Sequence, residues 1–151
     1  MKTQSTMERI KERQKLSWEG MFYSIQRIDL LVISISGAGI YVCLETLKFN
    51  KENCMDIGSL IKISGCFFLI AIIVNFISQV FGRNSNYYDY LWCEEKINSE
   101  NNPNEKQQKR IKKYDKLSEH YSKWTNRITN SSIIIMLFGL LLIMYYFLST
   151  F

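Results

Sequence analysis

Three apolar blocks alternate with charged ones along the chain, at Ile28–Leu47, Gly58–Phe81 and Ser131–Ser149. The last carries no charge, and Ile133–Leu148 is almost wholly Ile, Leu, Met, Phe and Tyr. At ~1.5 Å per residue it reaches about 28 Å as a helix, close to the ~30 Å hydrocarbon core of a bilayer. Lipid offers no partner for a free amide, so each block is expected to be helical. Asp29, Glu45 and Lys62 lie near the block ends, within reach of the interface. The pattern predicts an all-α membrane protein with transmembrane helices at 28–47, 58–81 and 131–149 and a short external connection over 48–57.

The polar blocks have periodicity of their own. In 1–27, Met7, Ile10, Trp18, Met21, Phe22 and Ile25 recur at roughly helical spacing among charged residues, with Trp18, Phe22 and Tyr23 suited to the headgroup level. An N-terminal interfacial amphipathic helix is expected there. The long segment 82–130 breaks once, at Asn101-Asn102-Pro103-Asn104, which joins turn-forming Asn to the chain's one proline. Asn104 is placed to cap a helix, with Gln107 as its capping-box partner. Beyond it, Ile111, Tyr114, Leu117, Tyr121, Trp124 and Ile128 form a coiled-coil-like stripe at spacings of three and four. Nothing between Ile128 and Ser131 demands a break. One helix is therefore predicted to run from the cytosol into the third span, with Gly58–Asn101 as its antiparallel partner, forming a cytosolic helical hairpin.

Charge sets the orientation. Lys and Arg number six in 1–27, ten in 82–130 and three from 48 to 62, with none after Arg127. The positive-inside rule then places the N-terminus and the hairpin in the cytoplasm and the C-terminus outside. The net charge of +5 has this topological source as its first explanation, ahead of nucleic-acid binding. No secretory signal peptide is expected, since the first span follows a polar leader without a small-residue cleavage site.

Candidate chemistry is sparse. His120 is the sole histidine, and no metal-ligand spacing, phosphate-cradling glycine loop or nucleophile motif accompanies it, so neither an enzyme nor a cofactor is expected. Cys43, Cys54, Cys66 and Cys93 form no CxxC pair and read first as small apolar residues. An intermolecular Cys54 disulfide stays open. Asn75 and Gln79, four apart in the second span, are candidates for interhelical hydrogen bonds or for a pore lining. Ser34, Ser36, Gly37, Ala38 and Gly39 make the first span small-sided, which allows close helix approach within the chain or between copies. The cluster Lys109, Arg110, Lys112 and Lys113 has two readings. It is the solvated face of an amphipathic helix, countered by anionic lipid or a neighbouring acidic helix, or it is a site for an anionic ligand such as a nucleotide or oligonucleotide.

In layout, the polar helix Arg9–Tyr23, the small-residue run Ser34-Ile-Ser-Gly-Ala-Gly39, the turn around Lys48–Ile57 and the exit helix Tyr87–Leu91 resemble the SLATT-type two-span proteins. These belong among small bacterial membrane effectors of nucleotide-signalled antiphage defence. The third span lies beyond that two-span layout. The resemblance implies a homo-oligomer in the bacterial inner (cell) membrane that permeabilises it as a channel or pore when infection is sensed, triggered through the hairpin by an anionic ligand or a soluble sensor protein. The rival expectation is a non-channel adaptor that docks a soluble partner at the membrane. Alternating-access transport is disfavoured, because no repeat pair or broken helix is present.

Overall fold

A computed structural model describes residues 2–53, 59–98 and 104–150, and within these the side chains at Glu19, Phe22, Tyr23, 25–53, 59–96 and 104–150. The connection around Cys54, the Asn101–Pro103 break and the side chains of Met7, Ile10, Trp18 and Met21 lie outside the described residues. Three helices make up the described chain: α1 (Lys2–Glu52), α2 (Ser59–Asn98) and α3 (Glu105–Thr150). Each is long and apolar enough to cross a membrane, as a multi-pass membrane protein requires.

At ~1.5 Å per residue the helices run about 76, 60 and 69 Å, roughly twice a hydrocarbon core, so each carries a polar extension. The segment 1–27, expected as an interfacial helix leading into the apolar block, runs into that block as one helix, without a break near residue 27. Likewise α3 passes from its charged half into its apolar half without interruption, because no Gly or Pro intervenes before Gly139.

The capping box forms. The Gln107 amide donates to Asn104 Oδ1 at 3.0 Å, and Gln107 Oε1 accepts from the Asn104 amide at 2.9 Å. At the end of α1, the Asn53 amide and its Nδ2 both donate to the Phe49 carbonyl, at 3.1 and 2.9 Å. Asn104→Ala is expected to lower stability by about 1 kcal/mol. The loss should speed amide exchange in the first turn of α3 and leave the apolar half untouched.

The tightest packing is between α2 and α3. Ser64 Oγ donates to the Gly139 carbonyl at 2.7 Å, Ser78 Oγ to Thr125 at 3.1 Å, and Ser85 Oγ to Ser118 at 3.0 Å. Partners fall along α3 as they rise along α2, so the pair is antiparallel. The spacing shows how the sequence builds it. Ser64, Ala71, Ser78 and Ser85 repeat every seven residues, and so do Ser118, Thr125, Ser132 and Gly139 on α3. Two rows of small side chains in register let the backbones approach until a hydroxyl reaches the opposite carbonyl. Ser64, Ala71, Ser78 and Ser132 are completely or almost completely buried.

Beyond this seam, larger side chains flank the contact. Tyr88 stacks on Tyr114 and Tyr121, Phe81 tilts against Tyr121, and Arg110 Nε pairs with Glu95 at 3.1 Å. Of the expected stripe, Ile111, Tyr114, Leu117, Tyr121 and Ile128 are half-buried. Trp124 departs from it. It is exposed, with the Arg127 guanidinium 5.9 Å from its ring, because the small Thr125 occupies the position facing α2.

Helix α1 lies antiparallel to α2 and touches the pair much less, mainly through α2. Its buried stripe is Val32, Ser36, Gly39, Cys43 and Asn50, again at spacings of three and four wherever consecutive turns contribute.

Candidate functional site

All three helices meet on Phe68, which is fully buried. A Cβ on Gly39 of α1 would lie 2.5 Å from its ring, and one on Gly139 of α3 would lie 3.0 Å from it. Two glycines on separate helices thus form the socket for one aromatic knob, and α1 is keyed to α2–α3 at that level.

One to two turns toward the N-terminal end of α1 the packing turns polar. Asn75 is 0% exposed, and its Nδ2 donates a long 3.4 Å hydrogen bond to the Asp29 carbonyl. Its Oδ1 has no partner among the described residues, and neither has Ser36 Oγ, which is also fully buried. The polar groups on the α2–α3 side are satisfied. Ser78 and Thr129 share a hydroxyl–hydroxyl bond, and Ser132 donates to the Thr129 carbonyl at 2.7 Å. The unpaired atoms therefore sit on α1 and on the α2 side chain that reaches toward it. At the far end Asn50 Nδ2 donates to the Tyr146 hydroxyl at 2.8 Å, a second polar clasp between α1 and α3.

The polar pair expected on one face divides. Asn75 is buried inside the chain, whereas Gln79, one turn on, is exposed. The small-residue run divides too. Ser36 and Gly39 pack within the chain. Ser34, Gly37 and Ala38 are exposed, and a Cβ on Gly37 would meet nothing within 4 Å. At ~100° per residue, Ser34 and Ala38 lie on the side of α1 opposite the buried stripe. Ser36, from the same run, faces inward beside Gly39, and Cys43 one turn on is buried as a small apolar residue.

The basic cluster lies on the exposed side of α3. Lys109 pairs with Glu105 at 2.9 Å and Arg110 with Glu95, while Lys112, Lys113 and Lys116 have no ion pair among the described residues. Lys109, Lys112, Lys113, Lys116 and Leu117 line one shallow groove. A larger groove of about 510 Å³ opens where the N-terminal half of α1 leaves the α2–α3 pair. Phe22 and Ile25 form its apolar side, and Ser85, Asn86, Asp89, Asp115, Glu119 and Lys123 line its polar sides. Glu119 accepts from Lys123 Nζ at 2.7 Å, and this hydrogen bond together with the lysine's charge holds the carboxyl below its ordinary range. His120 packs edge-on against Tyr121 and Trp124. No group of three metal-ligating side chains occurs among the described residues, and Cys43, Cys66 and Cys93 are free thiols.

No protein-family model matches the chain, and comparison with curated proteins and with solved structures returns no match.

Proposed function

We propose that the protein is an oligomeric membrane effector that permeabilises the bilayer when α1 withdraws from the α2–α3 pair. The observation that carries this reading is the buried polar layer under α1, with Asn75 Oδ1 and Ser36 Oγ both lacking hydrogen-bond partners. A buried polar group left unpaired costs about 1–3 kcal/mol. The α1 interface therefore stores a bias toward opening that the saturated α2–α3 seam lacks. Withdrawing α1 uncovers Asn75 and Ser36 at membrane depth, where lipid disfavours them and a water-filled path between assembled copies suits them.

In this reading the N-terminus and 82–130 are cytoplasmic, the C-terminus is external, and 82–130 is the cytosolic hairpin that receives the trigger. The likeness to SLATT-type effectors extends the proposal to the bacterial inner membrane and antiphage defence. The adaptor reading has one observation in its favour: the α2–α3 pair stays packed well past its apolar half and presents unpaired lysines, as a docking rod would.

The test is ion flux from liposomes holding the purified protein, alone and with added cyclic nucleotides and anionic oligonucleotides. Flux above that of empty liposomes is expected. Silence under every condition, together with stable capture of a soluble protein by 82–130, would replace this reading with the adaptor.

A further inference from the structure

Two surfaces of opposite sign lie at one height on the polar half of the chain. The first is the lysine face of α3. Lys109 and Lys113, and Lys112 and Lys116, are like-charge pairs four residues apart, a spacing that destabilises a helix unless something acidic covers it. Leu117 sits among these lysines as an apolar centre. The second is the groove of about 510 Å³ between α1, α2 and α3. Asp89 from α2 and Asp115 from α3 line it, and neither has an ion pair among the described residues. Glu119 is taken by Lys123. Phe22 and Ile25, 42% and 37% exposed, provide the apolar side.

The lysine face and Asp115 share one stretch of α3, Lys109–Leu117, so they stand at the same distance from the apolar half. They point in different directions, with Lys113 and Lys116 turned roughly 100–160° around the helix from Asp115. One copy cannot bring its own lysine face into its own groove. Copies held in one membrane, however, share a height, and confinement raises their effective concentration. Each surface matches the other in charge and layout, with an apolar centre against an apolar floor and a charged rim around both.

We infer that copies assemble side by side, with the α3 lysine face of one seated in the acidic three-helix groove of the next. The occupant of the groove is thus a second copy of this chain. The contact is heterologous, the kind that closes into a ring when the rotation permits. It rests on the oligomeric reading above and gives that reading a direction, since the neighbour's α3 bears on Phe22 and Ile25 of α1, the helix that has to move.

The experiment is charge reversal of the full chain in detergent and in nanodiscs, with mass measured by light scattering. Asp89→Lys/Asp115→Lys makes the groove basic, and Lys113→Glu/Lys116→Glu makes the stripe acidic. All four positions are exposed, so helical content should stay at the wild-type level. Each double variant alone is expected to lose the oligomer, with association weakened at least tenfold. The fourfold variant should regain it, and so should an equimolar mixture of the two double variants, in which every groove meets a stripe of opposite sign. Wild-type assembly should weaken as salt shortens the Debye length.

Oligomers that persist in both double variants would overturn the interface and leave the oligomeric reading standing. Loss without rescue in either combination would also overturn it. A wild-type monomer that binds spermidine through Asp89 and Asp115 would overturn both, and would make the groove a site for a small organic cation.

Discussion

Asn75→Leu will stabilise the folded protein and abolish its ion flux, whereas Gln79→Leu will leave both close to wild type. Asn75 is wholly enclosed, yet it makes one long hydrogen bond of 3.4 Å and leaves Oδ1 unpaired. Leucine has the same branched heavy-atom skeleton, with bulkier methyl ends, and no polar atom to strand. The exchange removes a desolvation cost of roughly 1–3 kcal/mol and gives up little in return. The same change lowers the drive for α1 to leave and removes the largest polar side chain that departure would uncover. Stability and activity should therefore move in opposite directions, as they do where function depends on a strained arrangement. Gln79 is already exposed, so its replacement tests membrane-depth polarity alone. Reversible unfolding in micelles and flux from liposomes, measured on the same preparations, decide the matter. An Asn75→Leu protein that is destabilised, or that conducts normally, would sink the mechanism.

Gly39→Leu will uncouple α1 from the other helices, and Phe68→Ala will partly repair it. The leucine would have to enter space that the Phe68 ring fills, since even a bare Cβ comes to 2.5 Å. Overpacking of this kind costs roughly 1–3 kcal/mol, and more where neighbours cannot yield. Toward α3 the ring has little room to swing, since a Cβ built on Gly139 would already stand 3.0 Å from it. Phe68→Ala alone empties the socket and should cost about 3–5 kcal/mol. Together the two substitutions should cost less than the sum of their separate effects, by about 1–3 kcal/mol, because one supplies the volume the other lacks. Strict additivity in an unfolding titration would mean that Gly39 and Phe68 are not in contact. By contrast Gly37→Leu, on the uncovered side of α1, should leave the monomer's stability nearly unchanged.

The three long apolar helices, the continuity of α3 across its polar boundary and the capping box at Asn104 were all legible, because each follows from local pattern: an apolar run, an unbroken helical sequence, a pair three residues apart. The α2–α3 seam was half legible. Aromatic and aliphatic residues on α3 drew attention to Trp124, but the contact is organised by what is small. The sevenfold recurrence of Ser118, Thr125, Ser132 and Gly139 was present in the sequence, opposite its counterpart on α2. A period carried by small polar residues is easily overlooked beside large apolar neighbours. The run at Ser34–Gly39 left open which of its sides is used. Small residues mark possible approach from any direction, and only a partner decides which side is used. The partner is Phe68, more than twenty residues away, and it selects Gly39. The separation of Asn75 from Gln79 was likewise hidden, since one helical turn at the edge of a contact divides inside from outside.

If α1 must leave α2–α3 for ions to pass, a reversible covalent lock between them will stop the flux. A Cβ on Gly65 of α2 would stand 3.6 Å from Cβ of Cys43 on α1, within the range of about 3.5–4.5 Å that a disulfide needs. Gly65→Cys, with Cys54, Cys66 and Cys93 changed to serine, lets oxidation tie the two helices together. Flux from liposomes should stop on oxidation and return on reduction. Equal flux in the oxidised and reduced protein, with the bond confirmed by mass, would contradict the account, and so would silence in both states.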